Sequence, residues 1–144
     1  MRIIAGASKG KKILQPKDQL TRVYDNVPLA AQAQLTRPLK DLTKESIFNI
    51  IMHSNKFETK IEGSKILDLF SGVGSFGLEC LSRGALNAVF VESYKEVLDI
   101  LKKNIENLNY VNSSTIIEQD IYDSLDFKTL KKFIWMHNYV KYRF

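Results

Sequence analysis

Three glycines and two acidic residues have a spacing that suits ligand binding by a tight turn. Gly72, Gly74 and Gly77 form a Gly-x-Gly-x-x-Gly pattern after an apolar run. Glycine has no Cβ, so such a turn can bend sharply and bring its backbone close to a ligand. Asp68 precedes the turn, and Glu92 follows Gly72 by 20 residues, the distance expected for an acid that binds ribose hydroxyls. The pattern predicts a loop that binds a nucleotide-like cofactor.

Alternating strand and helix patterns position these residues. Nearly continuous apolar runs predict buried strands over residues 65–70, 88–92 and 114–118. Between them, helices are predicted over 75–83 and 95–108, the first of which stops before Gly84. This order of elements predicts an α/β fold with a parallel sheet, whose ligands bind outside the carboxyl ends of the strands.

Each predicted strand has an acid at or just after its end, namely Asp68, Glu92 and Asp120. A pyrophosphate is held by amide groups and the helix dipole, and the carboxylate of Asp68 would repel it. S-adenosylmethionine (SAM) carries an ammonium and a sulfonium, which a carboxylate would attract. The acids therefore favour SAM over a dinucleotide, and a dehydrogenase is a distant alternative. The structural alternative for Asp68 is a carboxylate that caps the helix or braces the loop.

The amino-terminal part of the chain has weaker patterns. Residues 2–14 contain two short apolar runs with a glycine at each inner edge, which predicts a hairpin. Segment 18–34 has no sustained period, which predicts either a mobile segment on the substrate side or an insertion. The tetrapeptide Gln-Leu-Thr-Arg occurs at 19–22 and again at 34–37, which suggests an insertion, and no function is assigned to it. A helix is predicted over 41–52. Its apolar face is expected to consist of Ile47, Ile50 and Ile51.

Charge is distributed unevenly along the chain. The net charge is +6 over residues 1–44, −6 over 45–127 and +5 over 128–144. Basic arms that flank an acidic middle are typical of proteins that bind a phosphate-rich partner, although a solvated basic surface would have the same composition. Charge alone favours nucleic acid only slightly.

Composition limits the classes of protein to which the chain could belong. The chain has 144 residues, 44% of them hydrophobic, which is enough for the core of a single soluble domain. No apolar run is long enough to span a membrane, so a cytoplasmic monomer is expected. The single cysteine, Cys80, excludes an internal disulfide and makes a zinc site improbable. It lies in an apolar helix pattern and is expected to pack in the core.

Four stretches of the chain match the motifs of one known family. The first stretch, 1–12, begins with Met-Arg-Ile-Ile-Ala-Gly, and the second, 36–50, begins with Thr-Arg-Pro. The third, 66–79, begins with Ile-Leu-Asp-Leu-Phe-Ser-Gly, and the fourth, 81–92, begins with Leu-Ser-Arg-Gly-Ala. The chain thereby resembles the RsmD family of small-subunit ribosomal RNA guanine-N2 methyltransferases. The resemblance implies a Rossmann-like SAM-dependent methyltransferase fold with an amino-terminal hairpin that engages RNA.

The resemblance also implies roles for individual residues. Asp68, Phe70, Gly72 and Gly74 would surround the methionine end of SAM, with Gly77 completing the loop. Glu92 would hold the ribose, and Asp120 would accept a hydrogen bond from the adenine amino group. Enzymes of this type flip the target guanine out of its stack and align its amine with the methyl group. Phosphate contacts would come from the basic residues Arg2, Lys9, Lys11, Lys12 and Arg37.

One motif of the family is missing from the sequence. The family's catalytic Asp/Asn-Pro-Pro-Tyr/Phe follows its fourth strand, whereas the three prolines of this chain are at positions 16, 28 and 38. No catalytic residue is therefore assigned. The expected organisation is a basic RNA-contacting region (1–40), a SAM-binding half with an incomplete sheet (41–127) and a basic tail without strand alternation (128–144). The hypothesis is a truncated methyltransferase, and the alternative is a non-catalytic or unfolded RNA-binding remnant.

Overall fold

The computed structural model describes residues 1–15, 41–53 and 60–121, together with the backbone of a strand at 134–136. Arg37, segment 18–34 and the rest of the basic tail lie outside the described residues, so the predictions made for them stay predictions. Within the described ranges, no helix combines the length and the apolar character that crossing a membrane requires.

Four parallel strands and three helices form the described part of the fold. The strands are β1 (Lys65–Asp68), β2 (Asn87–Glu92), β3 (Ser114–Glu118) and β4 (Ile134–Met136), and their order across the sheet is β3-β2-β1-β4. The helices are α1 (Asp41–His53), α2 (Ser75–Ser82) and α3 (Lys95–Asn107). Because α2 connects β1 to β2 and α3 leads from β2 towards β3, the predicted α/β fold with a parallel sheet is confirmed.

The first strand is shorter than predicted. β1 pairs with β2 up to Asp68, which lies opposite Phe90, and does not extend to residue 70. The backbone N–H of Ser71 then donates to the carbonyl of Val91 at 3.1 Å. Residues 69–70 are therefore the turn that leads from the strand into the glycine loop.

A strand lies where the sequence indicated none. Residues 134–136 pair with β1, with Ile66 opposite Ile134 and Asp68 opposite Met136. The interpretation of 128–144 as a tail without a strand is therefore wrong for these three residues. Strands of parallel sheets commonly have continuous apolar sequence, so the lack of alternating polarity does not exclude a strand. The Ile-Trp-Met run has such a sequence.

The first helix buries a different face from the one predicted. Lys44 and Phe48 are its buried residues, whereas Ile50 is 58% exposed. Ile47 and Ile51 are only partly buried against the core. The predicted apolar face is therefore wrong for Ile50, because a buried ionic contact of Lys44 with α2 sets the rotation of the helix.

The predicted amino-terminal hairpin is present and docks on the domain. Arg2 and Lys12 form an antiparallel bridge, and Ile3 and Ile13 are fully buried in the main core. The backbone N–H of Ala7 donates to the carbonyl of Ser82 at 2.8 Å, at the end of α2. The hairpin is therefore part of the domain core rather than a free basic arm. Cys80 is fully buried as predicted.

Candidate functional site

The glycine loop that follows β1 contains two residues with a left-handed backbone conformation. Gly72 has φ of 53° and Gly74 has φ of 81°, which side chains disfavour. A Cβ built on Gly72 would have no neighbour within 4 Å. Its backbone is therefore bordered by open space, as close approach to a ligand requires.

The other two glycines meet a packing requirement. A Cβ on Gly74 would lie 2.4 Å from Leu101 Cδ1, and one on Gly77 would lie 2.3 Å from Phe90 Cε1. Gly77 thus allows α2 to pack closely on β2, as the third glycine of such a motif does. Of the three glycines, Gly72 is the one with room for a ligand.

Asp68 is a buried carboxylate with one oxygen used and one unused. Its side chain is 1% exposed, and Oδ2 accepts a hydrogen bond from the Gly77 N–H at 3.1 Å. Oδ1 is also buried and has no hydrogen-bond partner among the described residues. Burial raises the pKa of Asp68 to about 7, with a smaller contribution from the charge of Glu92, while the Gly77 bond opposes the rise. Oδ2 therefore braces the helix, and Oδ1 is an acceptor that no described residue uses.

Glu92 fastens the end of β2 to the glycine loop. Its Oε2 accepts the backbone N–H of Gly72 at 2.8 Å. Its Oε1 accepts the N–H groups of Ser93 and Tyr94, each at 3.0 Å. A carboxylate offers about four acceptor positions, so Glu92 has capacity for one further donor. Glu92 is thus bonded to Gly72, and Asp68 lies at the carboxyl end of the neighbouring strand.

The remaining predicted cofactor residues lie at the same edge of the sheet. Asp120 is exposed and follows Glu118, which is opposite Glu92 in the sheet register. Phe70 is half-buried and packs, with Ile117, against the smaller of two hydrophobic clusters. The sheet therefore brings the ends of β1, β2 and β3 together, as the sequence predicted.

The basic residues of the hairpin point outward. Lys9, Lys11 and Lys12 are all exposed. Arg2 is also exposed, and its Nε lies 3.6 Å from Asp41 Oδ2 at the start of α1. These four side chains are within reach of an external anion, whereas the fifth predicted contact, Arg37, lies outside the described residues.

Comparison with known proteins identifies the family. A family model described as Conserved hypothetical protein 95 matches residues 1–135. The chain belongs to this family. Ribosomal RNA small subunit methyltransferase D of Haemophilus influenzae is 37% identical over 128 residues, which are 88% of this chain and 54% of that protein. The protein of the same name from Buchnera aphidicola is 35% identical over 73% of this chain and 57% of its own length.

Solved structures of the family have the same fold. The Escherichia coli protein yhhF, described as a methyltransferase, superposes with a TM-score of 0.60 at 27% identity and covers 83% of this chain and 52% of its own. The Haemophilus influenzae protein HI0767, described as a methylase, gives 0.53 at 32% identity, with 85% and 53% covered. The resemblance to the RsmD family and the Rossmann-like methyltransferase fold are confirmed. The chain spans about half the length of the relatives it matches.

A buried ionic cluster beside the site was not assigned from the sequence. The Glu79 carboxylate of α2 is fully buried, 3.3 Å from Lys44 Nζ and 3.0 Å from Arg83 Nε. It also accepts the backbone N–H groups of Ile4 and Ala5. Burial lowers the pKa of Lys44, an effect that the attraction of Glu79 opposes. The available signal in the sequence was a charged residue at a core-facing position of each helix, Lys44 in α1 and Glu79 in α2.

Asn104 is a second residue whose role was not assigned. It is fully buried within α3, and its amide makes three hydrogen bonds to backbone groups of Leu14 and Val73. Its position between Leu101 and Leu108 on the apolar stripe of the helix was the available signal. A polar side chain at such a position needs buried partners.

Proposed function

We propose that this chain provides the cofactor-binding and RNA-binding parts of a SAM-dependent methyltransferase that acts on guanine N2 of small-subunit ribosomal RNA. One arrangement carries the proposal. Oδ1 of buried Asp68, which has no partner among the described residues, belongs to the same loop system in which Glu92 holds Gly72 beside open space. That combination of a buried carboxyl group, ionised above about pH 7, and an approachable backbone fits a cationic nucleoside ligand.

Each side chain has a distinct role in the proposed cofactor site. Asp68 Oδ1 would accept a hydrogen bond from the ammonium of the methionine part, since it is a buried acceptor without a partner among the described residues and lies next to the glycine loop. Glu92 would use its spare acceptor capacity for the ribose hydroxyls, and exposed Asp120 would accept from the adenine amino group. Phe70 would border the methionine end. Bound SAM supplies an activated methyl group for transfer to an amine.

RNA would bind on the hairpin. Exposed lysines at positions 9, 11 and 12 lie on one short segment that is held rigidly against the domain. Phosphate contacts of this kind supply affinity and register without reading the sequence. The relatives of Haemophilus influenzae and Buchnera aphidicola are named as ribosomal RNA small subunit methyltransferases, which supports this class of substrate.

The alternative is RNA binding without methyl transfer. It is favoured by the sequence, which contains no Pro-Pro pair and hence no Asp/Asn-Pro-Pro-Tyr/Phe element. In this case the cofactor half-site and the hairpin would persist, but no group of this chain would position the guanine amine. Transfer from labelled SAM to small ribosomal subunits that lack the mark separates the two functions.

Isothermal calorimetry with S-adenosylhomocysteine tests the cofactor site directly. We expect micromolar binding by the full chain and at least about ten-fold weaker binding by Asp68→Asn, since a charge-assisted bond is lost. The asparagine retains an oxygen for the Gly77 N–H, so α2 keeps its brace. Glu106→Gln, an exposed carboxylate on α3, is the matched control and should bind normally. A folded wild-type chain that gives no binding heat would contradict the proposal.

A further inference from the structure

The side chain of Asn104 connects two parts of the molecule that are far apart in sequence. Its Oδ1 accepts the backbone N–H of Leu14 at 2.7 Å, and its Nδ2 donates to the Leu14 carbonyl at 3.1 Å. The second N–H of the same Nδ2 donates to the carbonyl of Val73 at 2.9 Å. One buried amide therefore binds both the last part of the hairpin and the centre of the glycine loop.

The hairpin makes further contacts with α2 and with Tyr110. Ile4 and Ala5 bind Glu79, and Ala7 and Ser8 bind Ser82, all through α2. The Ser8 hydroxyl lies 3.0 Å from the hydroxyl of Tyr110, beyond the end of α3. These contacts fix the hairpin to helices, including α2, which begins directly after the glycine loop. Among the described residues, the Asn104 side chain bonds both the hairpin and Val73 within that loop.

Val73 lies at the centre of the candidate cofactor loop and is bonded to Asn104. Val73 is flanked by two left-handed glycines, and the N–H of Gly72 is held by Glu92. Val73 is itself buried, and its carbonyl accepts the Asn104 amide N–H at 2.9 Å. Leu14, Asn104 and Val73 therefore form a continuous hydrogen-bonded path from the hairpin to the residue next to Gly72.

We propose that Asn104 is a positioning residue that couples RNA contact at the hairpin to the geometry of the cofactor loop. The inference rests on the proposed function, because it needs both ligands. Coupling between two ligands is reciprocal, so RNA should change the affinity for cofactor by the same factor as cofactor changes the affinity for RNA. The competing explanation is that Asn104 merely satisfies the backbone of Leu14 and affects stability alone.

Equilibrium dialysis measures the coupling. The dissociation constant of labelled S-adenosylhomocysteine is determined with and without saturating protein-free small-subunit ribosomal RNA. For the wild-type chain we expect a change of about five-fold or more. Asn104→Asp keeps an acceptor for the Leu14 N–H but loses both donors, and Asn104→Leu loses every bond. In both variants the dissociation constants measured with and without RNA should become nearly equal, even where the affinity for cofactor or for RNA is itself altered.

Tyr110→Phe is the matched control. It removes the contact with Ser8 and loosens the hairpin without touching the glycine loop, so the RNA-dependent change should persist. If the Tyr110 variant loses the coupling as completely as the Asn104 variants, hairpin docking in general is responsible and the proposal is wrong.

A measurement on the wild-type chain covers the case in which the Asn104 variants do not fold. Amide hydrogen exchange is followed at Leu14 and at Ala7, whose N–H groups bind Asn104 and the carbonyl of Ser82 respectively. S-adenosylhomocysteine should slow exchange at Leu14 several-fold more than at Ala7. Equal slowing at both sites overturns the inference alone, whereas absence of cofactor binding overturns the proposed function and the inference with it.

Discussion

The Glu92 carboxylate accepts the backbone N–H of Gly72 at 2.8 Å, so the end of β2 holds the turn that follows β1. The same carboxylate accepts the N–H groups of Ser93 and Tyr94 at the start of α3. One side chain therefore defines the mutual position of two strand ends and one helix. Its contribution to the site is structural even before any ligand binds.

Removal of this carboxylate should affect both stability and cofactor binding. Glu92→Ala leaves three N–H groups without their acceptor, at a cost of about 1–3 kcal/mol because the site is only half-buried. The dissociation constant for S-adenosylhomocysteine should rise by at least about ten-fold. Urea unfolding and calorimetry provide the two values. Glu106→Ala should leave both unchanged, and equal behaviour of the two variants would show that Glu92 has no special role.

Asp68 should make the fold less stable as the pH rises. Its pKa is about 7 in the folded chain and its ordinary value is 3.8, so between these values the folded state keeps a proton that the unfolded state has lost. Stability is therefore full below about pH 4, falls as the pH rises to about 7 and is constant above it, with a total difference of roughly 4 kcal/mol. Urea unfolding as a function of pH checks this. Asp68→Asn should lack this component, and parallel curves for the two proteins would exclude it.

Cofactor affinity should change in the opposite direction with pH. An ammonium binds the ionised form of Asp68, whose pKa is about 7, so affinity for S-adenosylhomocysteine should be roughly ten-fold higher at pH 8 than at pH 6. Nearby Glu92 opposes ionisation of Asp68, and the Cys80 thiol stays neutral because burial raises its pKa. Calorimetry at both pH values gives the ratio. A ratio that is unchanged in Asp68→Asn would assign the effect to another group.

Loss of Glu79 should be more damaging than loss of its lysine partner. Glu79→Gln removes the charge that compensates buried Lys44, although the Arg2 carbonyl and the new amide oxygen stay as acceptors, and it should cost roughly 3–5 kcal/mol. Lys44→Met keeps the packing volume and leaves Glu79 paired with Arg83, so it should cost less. The double variant should be destabilised by less than the sum of the two single variants. Urea unfolding of all three tests this, and strict additivity would mean that the pair does not interact.

The glycines should respond to alanine in different ways. Gly77→Ala places a methyl group against the Phe90 ring and should destabilise the fold by about 1–3 kcal/mol. Gly72→Ala meets no atom, yet its φ of 53° is strained with a side chain, and the methyl group would fill the space beside the loop. It should weaken S-adenosylhomocysteine binding more than it lowers the melting temperature. Gly10→Ala has the same strain in an open position outside the loop, and it should not affect cofactor affinity.

Local patterns were sufficient for most of the fold. The strand at 114–118 and the helix that begins at Lys95 have the predicted starts, because apolar runs and a 3.6-residue stripe are properties of neighbouring residues. The glycine spacing and the acids at strand ends likewise predicted which residues meet at one edge of the sheet. The unpaired oxygen of Asp68 could not be predicted, since it depends on which backbone groups the fold brings within reach.

Features that depend on distant partners were missed. Lys44 resembles a solvated lysine until Glu79 is placed beside it, and Asn104 resembles a polar interruption until Leu14 and Val73 are placed around it. The β4 strand was missed because its few residues were tested for alternation, which strands of parallel sheets do not require. In each case the decisive energy comes from a contact that sequence spacing does not encode.

Docking of the hairpin also has a consequence for the order of folding. The contact between Leu14 and Asn104 spans 90 residues of sequence, and the contact between Ser8 and Tyr110 spans 102. Closing such long loops has an entropic cost and slows folding relative to local contacts. During synthesis the hairpin therefore leaves the ribosome well before α3, and its two buried isoleucines, Ile3 and Ile13, stay exposed to solvent or to other proteins until the last turn of that helix has formed.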